Sequence, residues 1–138
     1  MGNLEFMKKF RPKELCVKEF EHWIVCVRQK QVTLGDVVIL LKRETENVSG
    51  MLPEEGAEFP KVVRWYEEMC KEKFGAIKFN YIIMMMKDLY VHYHAFPRYD
   101  RKINLFGMYW EDQHTLKNFD SVEILDDKVL FEIRDYMK

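Results

Sequence analysis

Short apolar runs and one long segment with helical spacing divide this chain into predicted elements. Residues 22–29 are rich in aromatic and β-branched side chains, which predicts a strand. Residues 37–41 are almost continuously apolar, which favours a strand that is covered on both faces. Another strand is predicted over residues 77–86, and a tight turn at Lys87-Asp88 would join it to the following strand as an antiparallel hairpin.

A long helix is predicted over residues 53–74, where apolar side chains recur at steps of three and four. Gly75 is a suitable residue to end this helix. Pro60 conflicts with a helix interior, so either the helix is kinked there or it begins near Phe59. The apolar residues that define the helical stripe are Phe59, Val62, Val63, Tyr66, Met69, Cys70 and Phe74.

The order of these elements predicts an α+β domain in which a small antiparallel sheet packs against the long helix. With 138 residues the chain is expected to form a single domain over residues 1–138. Residues 1–20 are interpreted as an N-terminal arm containing a short helix or irregular structure. Residues 119–138 are interpreted as a C-terminal helical tail, because helical spacing returns in residues 126–137.

Composition narrows the possible partners. Hydrophobic residues make up 48% of the chain and charged residues 33%, as in ordinary globular proteins. The net charge of −1 gives no indication of a nucleic-acid or membrane partner. No apolar run is long enough to span a bilayer, and the N-terminus lacks the apolar core of a signal peptide. The three widely spaced cysteines are typical of reduced thiols in a cytoplasmic protein.

The segment that follows the predicted turn carries the most informative chemistry. It contains His92 and His94, whose side chains would share one face of a strand because they are two residues apart. Tyr90 is expected in the same row. Pro97 lacks an N–H group and is expected to end the ladder, and Arg98 places a guanidinium close by. On its own, such a histidine pair is more often structural than catalytic.

This segment resembles the motif of the histidine triad (HIT) family of nucleotide hydrolases and transferases, His-x-His-x-His-x-x with x apolar. The continuation looks like the branch that includes dinucleoside polyphosphate hydrolases. The matching segments are Tyr90-Val91-His92-Tyr93-His94-Ala95-Phe96, Pro97-Arg98-Tyr99, Leu34-Gly35, Leu41-Lys42-Arg43, Asn80-Tyr81 and Trp110-x-Asp112. Two positions depart from the pattern: Tyr90 replaces the first histidine, and Glu44 stands where many members have a histidine.

The resemblance implies a HIT-like α+β fold, with an antiparallel sheet of about five strands, one long helix and a C-terminal helix. It also implies a homodimer. The role of nucleophile falls to His92, and contact with a phosphate or leaving-group oxygen falls to His94. Tyr90 would have to support the site through its hydroxyl group. Four residues are candidate phosphate or ribose contacts, with Arg98 the foremost because a guanidinium can grip phosphate in a fork: Arg28, Lys42, Asn80 and Arg98.

The function that this resemblance implies is cleavage of dinucleoside polyphosphates, or of related nucleotides such as phosphoramidates, through a covalent nucleotidyl-histidine. A neutral imidazole is a competent nucleophile near pH 7, provided that a hydrogen bond holds its proton on the other ring nitrogen. The sequence does not show which group accepts that bond. No protein-bound metal or cofactor is required, and any Mg²⁺ would arrive with a polyphosphate substrate.

Two other functions remain open at this point. The first is a nucleotide-binding protein whose catalysis is weak or lost because Tyr90 replaces a histidine. The second is a metal-binding protein, since two strand histidines can bind zinc or copper if a third ligand is available. Arg28 and Lys42 can also be explained as solvated charges at strand ends. The possible third metal ligands, all loosely placed, are His22, Asp88, Asp112 and His114.

Overall fold

The structure, a computed structural model, describes residues 8–138 and consists of a five-stranded antiparallel sheet, one long helix and a C-terminal helix. Residues 1–7, the first part of the predicted N-terminal arm, lie outside the described residues. The strand order is β1-β2-β3-β5-β4. The strands of this sheet are β1 (Cys16–Glu19), β2 (Trp23–Val27), β3 (Val37–Leu41), β4 (Lys78–Ile82) and β5 (His92–Arg98).

The remaining elements surround this sheet, and the predicted α+β class is confirmed. The helices that lie wholly within residues 8–138 are α1 (Pro12–Leu15), α2 (Pro53–Phe74) and α3 (Asp127–Met137), with a 3-10 turn at Val48–Gly50. A separate hairpin contains β6 (Ile103–Leu105) and β7 (Met108–Trp110). No helix within residues 8–138 is long and apolar enough to cross a membrane.

Helix α2 extends over the whole predicted range, without beginning late at Phe59. Pro60 leaves the carbonyl of Gly56 without its usual intrahelical donor. Both residues are exposed, so that carbonyl can be hydrated instead. At the first turn the buried Glu55 carboxylate accepts the Leu52 N–H at 2.7 Å and pairs with Arg43, which anchors this end of the helix.

Helix α2 covers one face of the sheet. The Phe59 ring packs between Trp23 of β2 and Tyr93 of β5, with ring centroids 5.0 and 4.4 Å away. Farther along the helix, the buried Tyr66 hydroxyl donates to the Gly35 carbonyl at 2.7 Å. Since side chains alternate along a strand, the residues on either side of Tyr93 point to the opposite face. Residues 92 and 94 therefore lie on the face that α2 does not cover.

The hairpin around β5 differs from the prediction in three ways. Strand β4 ends at Ile82, so residues 83–91 form a longer connection instead of a tight turn. Strand β5 begins at His92, which leaves Tyr90 outside the strand and outside the predicted row. Pro97 lies within the strand opposite Phe79 of β4. A proline is tolerated there because pairing with β3 has already ended at Ala95, so that side of the strand needs no N–H donor.

Three short strands were not predicted. Strand β1 lies in the segment that was interpreted as an arm, and β6 and β7 lie in a segment for which no helix or strand was predicted. The β6–β7 hairpin turns on Phe106 and Gly107, both of which have positive φ angles of 58° and 67°. Two such residues form the kind of tight turn that suits the twist of paired strands, but phenylalanine is a rare choice for it. The C-terminal helix is confirmed.

Candidate functional site

Strand β5 places two histidines side by side on the sheet face opposite α2. The ring centroids of His92 and His94 lie 5.1 Å apart, with the rings nearly perpendicular. Their partners on β3 are Leu40 and Val38, which are buried apolar residues. The two imidazoles therefore stand on an apolar floor at the centre of the sheet, where burial favours their neutral forms.

A backbone hydrogen bond determines which ring nitrogen of His92 carries the proton. Its Nδ1 atom lies 2.7 Å from the carbonyl oxygen of Tyr90. A carbonyl oxygen can only accept, so Nδ1 carries the proton and Nε2 carries the lone pair. Burial lowers the pKa of His92, although the Tyr90 carbonyl acts in the opposite direction by favouring the charged form. The net effect is a neutral imidazole at pH 7 with Nε2 unprotonated, as a nucleophile requires.

The side chain of Tyr90 has a different partner from its main-chain carbonyl. Its hydroxyl group hydrogen-bonds with Glu44, and this bond raises the pKa of the phenol. The two positions that depart from the HIT pattern are therefore in contact with each other. Residue 90 supports His92 through its main-chain carbonyl, a group that any amino acid supplies at this position.

The second histidine is held by a guanidinium. Arg28, just after β2, directs its Nε atom at His94 Nδ1 over 3.2 Å. Burial, the charge of Arg28 and the neighbouring His92 together lower the pKa of His94 to about 3. His94 is consequently uncharged at neutral pH.

Arg28 itself is buried, with 5% of its surface exposed. Its guanidinium lies between the rings of Phe96 and Phe119, at 5.4 and 5.5 Å from their centroids. Two further nitrogens donate to the carbonyls of Lys30 at 2.5 Å and Phe119 at 2.8 Å. Within residues 8–138 no carboxylate pairs directly with this cation.

A cleft of about 300 Å³ opens beside His94 and Arg28. Three lysines add positive charge to its walls and two carboxylates partly balance it: Lys9, Lys30, Lys87, Asp88 and Asp120. Four cations, including Arg28, thus face two carboxylates in the cleft, which is an environment that attracts anions.

Two chain segments border this cleft. From the N-terminal side, the ring of Phe10 covers His92 at a centroid distance of 5.6 Å, and only 1% of His92 is exposed. The neighbouring Lys9 bonds Asp88 at 2.8 Å. From the C-terminal side, residues 119–125, which we call the strap, cross the cleft. Its contacts are Phe119 O with Arg28, Asp120 with Lys30 and Lys87, and Leu125 N with Gln29 O.

The structure does not bring all of the predicted site residues together. Arg98 makes two hydrogen bonds to Asp112, at 2.9 and 2.5 Å, and a longer one to Asn80 at 3.4 Å. These contacts turn the guanidinium towards protein groups. Lys42 pairs with Glu19 at 2.6 Å on the exposed side of β1 and does not line the cleft. The structure thus brings Arg28 next to the two histidines, while Arg98 and Asn80 form a separate cluster.

Sequence reasoning missed the lysines, Phe10 and the strap. The lysines are separated along the chain and become neighbours only through the fold. Phe119 and Asp120 lie in a segment without periodicity, and no sequence signal could have placed them. Among residues 8–138 no group of three or more histidine, cysteine, aspartate or glutamate side chains could hold a metal ion, so the metal-binding hypothesis finds no third ligand there.

This chain matches no protein-family model and no curated protein. Solved structures do match. A hypothetical histidine triad nucleotide-binding protein from Sulfolobus tokodaii has a TM-score of 0.71 and 17% identity, over 96% of this chain and 88% of that chain. A HIT family protein from Bacillus anthracis has a TM-score of 0.59 and 25% identity, over 84% and 89%.

A diadenosine triphosphate hydrolase from Plasmodium falciparum, solved in complex with cyclomarin A, is also similar. Its TM-score is 0.70 at 11% identity, over 100% of this chain and 95% of that chain. The predicted resemblance to histidine triad proteins is thereby confirmed at the level of the fold. Because the identities are only 11% to 25%, the similarity to the branch of dinucleoside polyphosphate hydrolases is much weaker than the similarity in fold.

The Arg98–Asp112 pair yields a prediction about acid stability. Burial alone would raise the pKa of Asp112, but hydrogen bonds from Arg98 and from the N–H groups of Tyr99 and His114 lower it to about 2, from 3.8. A carboxyl group whose folded pKa is depressed stabilises the protein above its unfolded pKa, and that contribution is lost as pH falls through the folded pKa. We therefore expect Asp112→Asn to lower the free energy of unfolding by about 2 kcal/mol at neutral pH.

Urea denaturation measured over a range of pH checks this. The difference between wild type and Asp112→Asn should shrink as pH falls from about 4 to about 2. Asp100→Asn, at an exposed neighbouring carboxylate, is the matched control and should change stability little at any pH. A difference for Asp112→Asn that stays constant over this range would contradict the interpretation.

Proposed function

We propose that this protein, with its histidine triad fold, is a nucleotide hydrolase or nucleotidyl transferase that acts through His92. The observation that carries the proposal is the hydrogen bond from His92 Nδ1 to the Tyr90 carbonyl, which leaves Nε2 with its lone pair. The proposed substrates are dinucleoside polyphosphates and related nucleotides. The similarity in fold to the Plasmodium falciparum diadenosine triphosphate hydrolase supports this substrate class.

The reaction has two displacement steps. The Nε2 lone pair of His92 forms a bond to the α-phosphorus, the bond from that phosphorus to the bridging oxygen breaks, and its electron pair leaves with the released phosphate. In the nucleotidyl-imidazolium that results, the Nδ1 proton stays hydrogen-bonded to the Tyr90 carbonyl, which stabilises the positive ring. Water then forms a new P–O bond as the P–N bond breaks, the electron pair returns to Nε2, and the water proton passes to solvent.

The cleft favours a leaving group with several negative charges. Lys30 and Lys87 both contact Asp120, whose carboxylate pairs with the two lysines that an anionic ligand in the cleft would contact. A polyphosphate carries more charge than this single carboxylate and would replace it on the two lysines. An amine leaving group, as in a phosphoramidate, would gain nothing from these lysines. Mg²⁺ would enter, if at all, bound to the polyphosphate.

A second function is favoured by one observation. Because the ring of Phe10 packs against His92 and only 1% of this histidine is exposed, a nucleotide can reach Nε2 only after groups that cover the ring, Phe10 among them, have moved. If Phe10 stays in place, the protein binds nucleotides in the cleft beside His94 without cleaving them. The homodimer implied by the family resemblance also remains a proposal, and size-exclusion chromatography with light scattering tests it.

The first experiment mixes the protein with diadenosine tetraphosphate, quenches within seconds in base and measures the intact mass. We expect an adenylate adduct on His92 and steady release of AMP. His92→Ala should lose the adduct and at least about a thousandfold in turnover, because no other group replaces the nucleophile. His22→Ala, which removes a histidine outside the cleft, is the matched control and should retain both.

The outcomes separate the two functions. An adduct that persists in His92→Ala would contradict the covalent mechanism. Calorimetric binding without turnover in the wild type would establish the binding-protein function instead. Neither binding nor turnover would leave only the fold in common with histidine triad enzymes.

Tyr90 gives a separate prediction. Because the main-chain carbonyl of residue 90 orients His92, Tyr90→Phe and Tyr90→His should both retain turnover within about threefold of wild type. Steady-state kinetics with diadenosine tetraphosphate measures this. A loss of a hundredfold or more in Tyr90→Phe would show that the phenol hydroxyl has a catalytic role of its own.

Phe10 determines the exposure of the nucleophile. We expect Phe10→Ala to speed the modification of His92 by diethyl pyrocarbonate, because removal of the ring uncovers the imidazole. Peptide mapping by mass spectrometry follows the modification of each histidine separately. Phe131→Ala, on α3, is the control and should leave the rate at His92 unchanged. An equal rate in wild type and Phe10→Ala would show that Phe10 does not cover His92 in solution.

A further inference from the structure

We propose that Arg28 is a positioning residue that holds His94 in one tautomer, with the proton on Nε2, and so makes His94 a neutral hydrogen-bond donor to the ligand in the cleft. The tautomer itself depends only on the contacts of these two residues. Its catalytic consequence rests on the function proposed above.

The first step concerns which atom donates. The Nε atom of an arginine always carries a hydrogen and has no lone pair to offer, so in the 3.2 Å contact with His94 it must be the donor. His94 Nδ1 is therefore the acceptor and carries no proton. A neutral imidazole holds a single proton, which must then lie on Nε2.

The second step concerns where that proton points. His94 lines the cleft, and no residue within 8–138 makes a hydrogen bond to its Nε2 atom. That atom is not among buried polar atoms without a partner, because the described residues contain none. Nε2 is therefore open to the cleft, and its proton is available to an oxygen of a bound phosphate.

The third step concerns the rigidity of Arg28. The rings of Phe96 and Phe119 flank its guanidinium, and its other nitrogens donate to the carbonyls of Lys30 and Phe119. Each of the three guanidinium nitrogens thus donates to a protein acceptor. A phosphate-binding arginine instead keeps two parallel N–H groups free for its ligand. These contacts favour a role through His94 over direct phosphate contact, which the sequence had suggested for this residue.

The two histidines consequently present opposite groups to a substrate. His92 offers a lone pair on Nε2 because its Nδ1 proton is held by a carbonyl, and His94 offers an N–H on Nε2 because its Nδ1 lone pair is held by Arg28. One group can attack phosphorus while the other stabilises a phosphate oxygen. Without Arg28, His94 could adopt either tautomer.

The charged and titratable groups that face His94 come from several elements. Arg28 and His92 disfavour its protonation, and the carboxylates of Asp88 and Asp120 favour it. Lys9, Lys30 and Lys87 complete the cleft. Arg28 is the cation that contacts the ring directly, so its removal should have a larger effect on His94 than removal of a lysine.

Nitrogen-15 NMR of the histidine rings tests the proposal without any substrate. In the wild type we expect the coupling pattern of the Nε2–H tautomer for His94 and of the Nδ1–H tautomer for His92. Arg28→Met keeps a long side chain but removes the donor and the charge. In this variant His94 should show a mixture of tautomers, with its pKa raised by about one pH unit or more. Lys30→Met removes one cation from the same cleft and should leave the His94 tautomer unchanged.

An Nδ1–H tautomer for His94 in the wild type overturns the proposal, and this measurement needs no variant to fold. An Arg28→Met spectrum identical to that of the wild type also overturns it. If the protein has no turnover, the function proposed above fails while the NMR result still decides the tautomer.

Kinetics then separates positioning from binding. A positioning role predicts that Arg28→Met lowers kcat for diadenosine tetraphosphate by at least tenfold, with KM changed by less than about threefold. A large rise in KM at unchanged kcat would show that Arg28 binds the phosphate directly, and would overturn the positioning role.

Discussion

The register of β5 between β3 and β4 is the constraint on which the rest of the molecule depends. His92 lies opposite Leu40 and His94 opposite Val38, so that both imidazoles face away from α2. A slip of one residue would turn the histidines under the helix and the aromatic ring of Tyr93 into the cleft. The packing of Tyr93 against Phe59 opposes such a slip, because it keeps Tyr93 on the side of the sheet that α2 covers. The neighbouring residues His92 and His94 then face the opposite side.

Burial at the sheet centre also determines the electrostatics of the site. Both histidines have lowered pKa values chiefly because they are withdrawn from water, and they are therefore neutral beside a buried guanidinium. The lasting positive charge of the cleft comes from Arg28 and the lysines around it. Neutral imidazoles can then act by lone pair and by N–H, while fixed cations attract the anion. This separation of roles follows from the reference pKa of each group: burial is enough to neutralise the imidazoles, whereas the guanidinium of the buried Arg28 and the more exposed lysines retain their charge.

How far the sequence predicts this molecule depends on the range of each interaction. Helix α2 was predictable because its apolar residues repeat with the helical period, and strand β3 because a short, continuous apolar run favours a strand that is covered on both faces. The placement of His92 and His94 on one face followed from the same local geometry. The Tyr90 carbonyl as proton acceptor and the Arg28–His94 contact were not predictable, because both depend on where separate segments meet. The contact of Arg98 with Asp112 was not predictable for the same reason.

The strap has a consequence for the order in which the molecule assembles. Its carbonyl contact with Arg28 joins residues 91 positions apart, and the Lys9–Asp88 pair spans 79 positions. Contacts of such separation close long loops, which costs entropy before any contact repays it. We therefore expect the cleft to be among the last parts of the protein to become native. By the same reasoning the strap can detach in a partial unfolding event that leaves the sheet intact, and amide hydrogens there would exchange faster than those of β3 and β5.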